Sequence, residues 1–365
     1  MNVSNERHAS WLELFFDLVF VAAVAALARQ LHADHSIAGL AVFAGLFVPV
    51  WWGWMGYTWY AAGFDSDDPV YRVGMLAGML AIASVSAGIS GAAQGNSRTF
   101  VIAYAGLTYV LAALYARAWL QLPEARPRTA HLGVANVIGA SVWLSSLAVP
   151  EHARPFLWAG ALLLLIATFA SAPWSLRFRP FHPAHVAERY GLFTIIVLGE
   201  SVVVTVASLD IGPNRAATLV AGLGFVIAAT IWWLYFSLFR SMPLDHGFRG
   251  RFVWAQGHLL IFAGIAAAAV GIEFAVEAAS HGAALTLVDR LPLGAGLAAY
   301  LTAMAAIRAT NRRLGWVVSL RLAAAGIVVV LTLPDYGLTP LLFVTLLTLL
   351  LAAEAMIEVT RASPP

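Results

Sequence analysis

Uncharged apolar blocks of about twenty residues recur along this chain, separated by short runs rich in Pro, Gly, Asp and Arg. A helix of about 20 residues, rising 1.5 Å per residue, matches the hydrocarbon core of a bilayer. There every backbone N–H and C=O must be bonded internally, which leaves only helices or a closed barrel. A barrel would read as segments of about 10 residues alternating apolar and polar, and the sequence has no such pattern. Composition agrees: 61% of the 365 residues are hydrophobic and 11% are charged, against about 25% charged in a soluble domain. The sequence predicts an all-α polytopic membrane protein whose first partner is the lipid bilayer.

Hydropathy and punctuation place twelve transmembrane helices at roughly 12–32, 37–61, 71–93, 98–121, 130–149, 154–172, 188–209, 215–239, 252–278, 288–308, 314–333 and 339–360. No connection exceeds about 16 residues, too short for a soluble domain with its own core. The chain has no cysteine, which excludes disulfides, thiolate catalysis and Cys-ligated metal. All 21 basic residues are arginine, a bias that codon composition explains as well as function does. A net charge of +2, with the arginines at helix ends, gives no nucleic-acid-binding surface. No cleavable signal peptide is expected, since the first apolar segment has no basic region close in front and carries Asp17.

Arginine also sets the expected orientation. The N-terminus and the loops after even-numbered spans hold fifteen arginines, among them Arg117, Arg126, Arg128, Arg189, Arg308 and Arg361; the other side holds five, Arg29, Arg98, Arg154, Arg215 and Arg290. This positive-inside asymmetry places both termini in the cytoplasm. The two halves also echo each other at an offset of roughly 180–190 residues. Asp17 corresponds to Glu200, Trp51-Trp52 to Trp232-Trp233, Asp65 to Asp245 and Arg72 to Arg251. Further on, Arg117-Ala118 corresponds to Arg308-Ala309, Leu132-Gly133 opening span five to Leu314-Gly315 opening span eleven, and Pro150 to Pro334. Two tandem six-helix repeats of the same orientation are expected, residues 1–173 and 188–365, joined by a cytoplasmic linker over 174–187.

Ionisable residues inside spans are costly, about 2.5–3.5 kcal/mol at helix centre on insertion scales, and mark ion or proton routes. Asp17 lies in span one with Glu13 a turn earlier on the same face. Glu200 lies near the middle of span seven, beside a stripe of Thr194, Ser201, Thr205 and Ser208. Either acid serves equally as packing glue between helices, and Asp17 is near enough to the interface to snorkel. Arg321, inside span eleven, needs an anionic partner, for which Glu200 or Asp17 is the expected choice. His258 in span nine suits a proton relay or a neutral, hydrogen-bonded place in the bundle. In the loop before span seven, His182, His185 and Glu188 recur at intervals of three, a weak metal pattern interrupted by Pro183; Glu188-Arg189 reads as an interfacial anchor. No metal site and no cofactor are assigned. Trp51, Trp52, Trp54, Trp59, Trp232 and Trp233 read as an interfacial aromatic belt or as a cage for an organic cation.

Two stretches, Glu13-Leu-Phe-Phe-Asp-Leu-Val-Phe20 and Glu188-Arg-Tyr-Gly-Leu-Phe-Thr-Ile-Ile-Val-Leu-Gly-Glu-Ser201, resemble the signatures of the bacterial low temperature requirement A family, over essentially the whole chain. The resemblance implies a multi-pass inner-membrane protein with Glu13, Asp17, Glu188, Arg189, Gly199 and Glu200 at signature positions. Phe15-Phe16-Asp17 with Val19-Phe20 is also similar to part of the first-helix motif of lysosomal and bacterial potassium channels built from six-helix repeats. The chain departs from that motif at Phe16, in place of Ser, and at Trp11, in place of Arg.

The expected function is an integral inner-membrane transporter or channel, with Asp17 and Glu200 lining a proton- or cation-linked pathway between the halves for a small ion or small molecule. Glu13, Ser201, His258 and Arg321 belong to the same candidate pathway, and His185, Glu188 and Arg189 form a cluster at its cytoplasmic end. The alternatives are a membrane-embedded enzyme acting on lipid or isoprenoid substrates at the cytoplasmic interface, or a non-catalytic scaffold or sensor. No catalytic residue is assigned, and a homo-oligomer is compatible with the sequence.

Overall fold

A computed structural model describes residues 9–64, 68–171, 183–207, 214–239, 247–310 and 315–362. Among them are twelve α-helices, three short 3-10 turns and no strand. The helices are α1 (Trp11–Ala33), α2 (Ile37–Phe64), α3 (Pro69–Ala93), α4 (Arg98–Gln121), α5 (Arg126–Ser145), α6 (Arg154–Ala170), α7 (Pro183–Ala207), α8 (Arg215–Phe239), α9 (Gly247–His281), α10 (Leu287–Ala309), α11 (Gly315–Thr332) and α12 (Pro340–Ala362). Counting the 3-10 turns that extend α5 and α6, all twelve are long and apolar enough to cross a membrane.

The helix starts follow local chemistry. Asp68 caps α3 by accepting from Tyr71 N at 2.9 Å, with Pro69 in the first helical position. Ser10 and Glu13 form a reciprocal box at the start of α1: Ser10 N donates to Glu13 Oε2 at 2.7 Å and Glu13 N to Ser10 Oγ at 3.3 Å. One expected boundary needs correction. Span five starts at Arg126, not near residue 130, so Leu132-Gly133 lies inside α5 rather than opening it. Arg126 and Arg128 depress hydropathy where Pro127, in the first turn, favours helix initiation. Of the proposed counterparts between the halves, Asp65, Asp245 and Leu314 lie outside the described residues, as does the side chain of Arg251.

The chain divides into two compact units, residues 1–30 with 42–193 and residues 31–41 with 194–365. In the first, α3 packs on α4, α4 on α5 and α5 on α6. In the second, α9 packs on α10, α10 on α11, and α12 on α8, α9 and α11. The α9–α10 approach depends on small residues. A Cβ added to Gly264 would stand 2.5 Å from the Gly296 carbonyl oxygen, and one added to Gly296 would stand 2.5 Å from the Gly264 carbonyl oxygen and 2.8 Å from Ala268 N. Backbones this close form where lipid supplies no hydrophobic drive and dispersion between helices must hold the bundle.

Gly264→Leu or Gly296→Leu will force α9 and α10 apart, with a loss of about 1–3 kcal/mol or more. Gly326→Ala, whose Cβ meets nothing within 4 Å, will hold stability or raise it by up to about 1 kcal/mol. Thermal unfolding of the purified variants in detergent checks both.

Candidate functional site

In the first unit, four buried ionisable side chains from two helices form one cluster. Glu13 and Asp17 are one turn apart on α1, and His185 and Arg189 one turn apart on α7, so each pair projects from one helix face. Relative exposures are 0% for Glu13, Asp17 and Arg189 and 1% for His185. Arg189 grips Asp17 with two donors: Nε reaches Oδ2 at 3.0 Å and Nη2 pairs with Oδ1. Its third nitrogen, Nη1, is 3.1 Å from Glu13 Oε1. His185 Nε2 is 3.3 Å from Glu13 Oε2, and because a carboxylate only accepts, that nitrogen carries the hydrogen. Trp54 of α2 donates from Nε1 to Asp17 Oδ1 at 2.8 Å.

These contacts fix more than charge. Early residues of α1 meet early residues of α7, and later ones meet later ones, so the two helices run in parallel. An even number of crossings then separates their starts, as α1 to α6 supply. An aromatic layer covers the cluster: Trp54 stacks on Phe193 at 4.5 Å and meets Tyr190 edge-on at 4.8 Å, and Trp59 Nε1 donates to the Tyr190 hydroxyl at 3.1 Å. Glu188, partly buried, accepts from Ala9 N at 3.2 Å and so ties the segment before α1 to α7.

Several expectations change here. Arg189 is not an interfacial anchor: it is fully buried and neutralised by two acids, because α1 brings carboxylates to it that no local spacing reveals. Asp17 does not snorkel, since its oxygens are held by Arg189 and Trp54. His185 and Glu188 turn to different partners, His182 lies outside the described residues, and no group of three His, Asp or Glu suited to a metal occurs among the described residues. Trp51, Trp52, Trp54 and Trp59 are 2%, 8%, 0% and 9% exposed, so they belong to the interior and not to a belt. Trp232 and Trp233, 44% and 48% exposed, do face outward.

In the second unit, Arg321 is 1% exposed and pairs with neither expected acid. Its Nε and Nη2 donate to Glu358 of α12 at 2.8 and 3.0 Å, and Glu354 Oε1 lies 3.5 Å from Nε. Glu354 and Glu358 went unnoticed in the sequence, although their one-turn spacing on the last span repeats that of Glu13 and Asp17. Glu200 is partly buried and makes no hydrogen bond or ion pair among the described residues. Eleven residues after Arg189, it returns to nearly the same face of α7 three turns on, about 16 Å along the axis. Ser201 and Thr205, buried on the same helix, donate to the carbonyls of Val197 and Ser201 at 3.0 and 2.8 Å; Ser208 lies outside the described residues. His258 is fully buried, with Nδ1 2.7 Å from the Trp254 carbonyl and Nε2 3.0 Å from the Tyr235 hydroxyl. The carbonyl accepts only, so Nδ1 carries the hydrogen and Nε2 receives the tyrosine's. Also in this unit, His32 pairs with Glu273 at 3.2 Å, a contact that the sequence did not suggest.

Twelve membrane-crossing helices around buried ion pairs define a multi-pass membrane protein. The chain belongs to the bacterial low temperature requirement A (LtrA) family, whose family model matches residues 8–353. An uncharacterized protein of Rhizobium meliloti (strain 1021) is 27% identical over 299 residues, which is 75% of this chain and 71% of that relative.

Arg189→Met, which leaves Asp17 and Glu13 buried without their cation, will cost about 3–5 kcal/mol, whereas Arg189→Met combined with Asp17→Leu will recover a large part of it. Unfolding of the two single variants and the double variant in detergent measures the coupling.

Proposed function

We propose that this protein is a transporter or channel that moves a proton or small cation across the bacterial inner membrane, with both termini cytoplasmic, along the face of α7 that carries His185, Arg189 and Glu200. The observation that carries this reading is Glu200, a carboxylate inside an apolar helix that has no partner among the described residues. An unpaired intramembrane acid is expensive to keep unless something exchanges on it. A purely structural acid would find a donor on a neighbouring helix, as Asp17 does with Trp54.

In this reading Glu13 and His185 pass a proton between them, while the Asp17–Arg189 pair closes the cytoplasmic end until Arg189 shifts its hold between Asp17 and Glu13. Ser201 and Thr205, further along the same helix, give hydroxyl oxygens that can accept from water or coordinate a cation. The internal position of the acids speaks against lipid chemistry: Arg189 is fully buried and gives Nε and Nη2 to Asp17, which leaves its guanidinium turned away from a phosphate headgroup. The excess of arginine on one side and the parallel course of α1 and α7 support two repeats of one orientation.

Reconstitution into proteoliposomes with pH- and potassium-sensitive dyes tests this. Wild type will dissipate an imposed proton or potassium gradient. Glu200→Gln and Asp17→Asn will fall to the rate of protein-free vesicles while retaining a cooperative unfolding transition. Equal dissipation by all three proteins would refute the role of both acids.

A further inference from the structure

The cluster around Arg321 resembles the one around Arg189 in having one guanidinium and two acids a turn apart, but it lacks the additional donors. In the first unit Glu13 receives Ser10 N and His185 as well as facing Arg189. In the second, Arg321 commits Nε and Nη2 to Glu358 and points Nη1 at the Met304 carbonyl at 3.4 Å. Glu354 is 1% exposed and neither of its oxygens accepts a hydrogen bond. Its cationic neighbour among the described residues, Arg321 Nε at 3.5 Å, is already bonded to Glu358.

The described groups packed nearby face other partners or charges. From α10, Tyr300 donates its hydroxyl to the Ile231 carbonyl at 2.8 Å, and Arg308 lies within electrostatic range of Arg321 and Glu358. From α8 and α9, Tyr235 and His258 bond to each other. The site lies about 9–12 Å in from the start of α11 and the end of α12, by helix rise. An ionised carboxylate there, accepting nothing, would bear most of its desolvation cost uncompensated, whereas a neutral acid would not.

We propose that Glu354 is a proton-binding site, holding its proton as a neutral carboxylic acid at neutral pH and passing it to Glu358 one turn along α12. The step balances without another reactant. As Arg321 moves its two donors from Glu358 to Glu354, the O–H bond at Glu354 breaks and one forms at Glu358, and the cluster's total charge is unchanged. Glu358, 15% exposed, then exchanges with water beyond the end of the helix. Both acids follow the last residue matched to the family, residue 353. The inference stands apart from the transport reading, because a chain that moves no ion can still hold this proton.

Difference infrared spectroscopy of the purified full chain in nanodiscs at neutral pH reads the outcome directly. Wild type minus Glu354→Gln will show loss of one protonated-carboxyl C=O band per chain. Wild type minus Glu358→Gln will lose the same band, because the freed Arg321 turns to Glu354 and ionises it. Glu354→Gln will unfold at or above the wild-type temperature, since a neutral amide replaces a neutral acid. Loss of the symmetric and antisymmetric carboxylate bands in Glu354→Gln, or failure of that variant to fold, overturns the proposal, as does a protonated band that survives in Glu358→Gln.

Discussion

A guanidinium keeps its proton even inside a helix bundle, so an arginine that enters one must bring carboxylates with it. That requirement organises the first unit. Arg189 gives Nε and Nη2 to Asp17, and Glu13 lies 3.1 Å from its Nη1 as the second counter-charge. To do so α1 and α7 must run side by side in the same direction and in one register. Glu13 also closes the first turn of α1 through Ser10. Trp54 turns inward because Asp17 has an oxygen to satisfy, and Tyr190, next to Arg189, draws Trp59 into the interior. A helix start, two helix directions and an aromatic layer all follow from one buried cation.

The second unit shows what happens when the same requirement is met less completely. Arg321 is satisfied by Glu358, and the extra acid, Glu354, is left without donors. Satisfied clusters rigidify a fold; a carboxylate that lacks a partner marks the place where charge can change. By that criterion Asp17 and Arg189 are the fixed elements, and Glu200 and Glu354 are the places where the two proposals put a change of charge.

Much of the fold was legible because lipid enforces it. Length and apolarity identify a spanning helix without knowledge of any neighbour, and twelve spans follow from that alone. Errors fell where charge sits within a helix, as at Arg126 and Arg128, whose hydropathy conceals about one turn of α5. α9 similarly runs 35 residues, longer than its apolar centre indicated. The candidate residues were legible as types and not as pairs. Asp17, Glu13, Arg189 and Arg321 stand out as ions among apolar residues. Asp17 and Arg189, however, meet across 172 positions, and Arg321 meets an acid 37 positions away that looked like the polar end of the last span. Trp54 and Trp59 were misplaced for the same reason: an indole N–H with a buried acceptor belongs in the core, and their acceptors, Asp17 and Tyr190, lay on other helices.

The central claim, that Arg189 is held by Asp17 within the bundle, is open to direct measurement by solid-state NMR. Protein reconstituted in lipid, with ¹⁵N in the arginine side chains and ¹³C in the aspartate carboxyls, would be examined for dipolar coupling between guanidinium and carboxyl. The account predicts a contact-range coupling that disappears in Asp17→Asn and in Arg189→Met, with the other arginine–aspartate couplings unchanged. A spectrum that is the same in wild type and in both variants would contradict it.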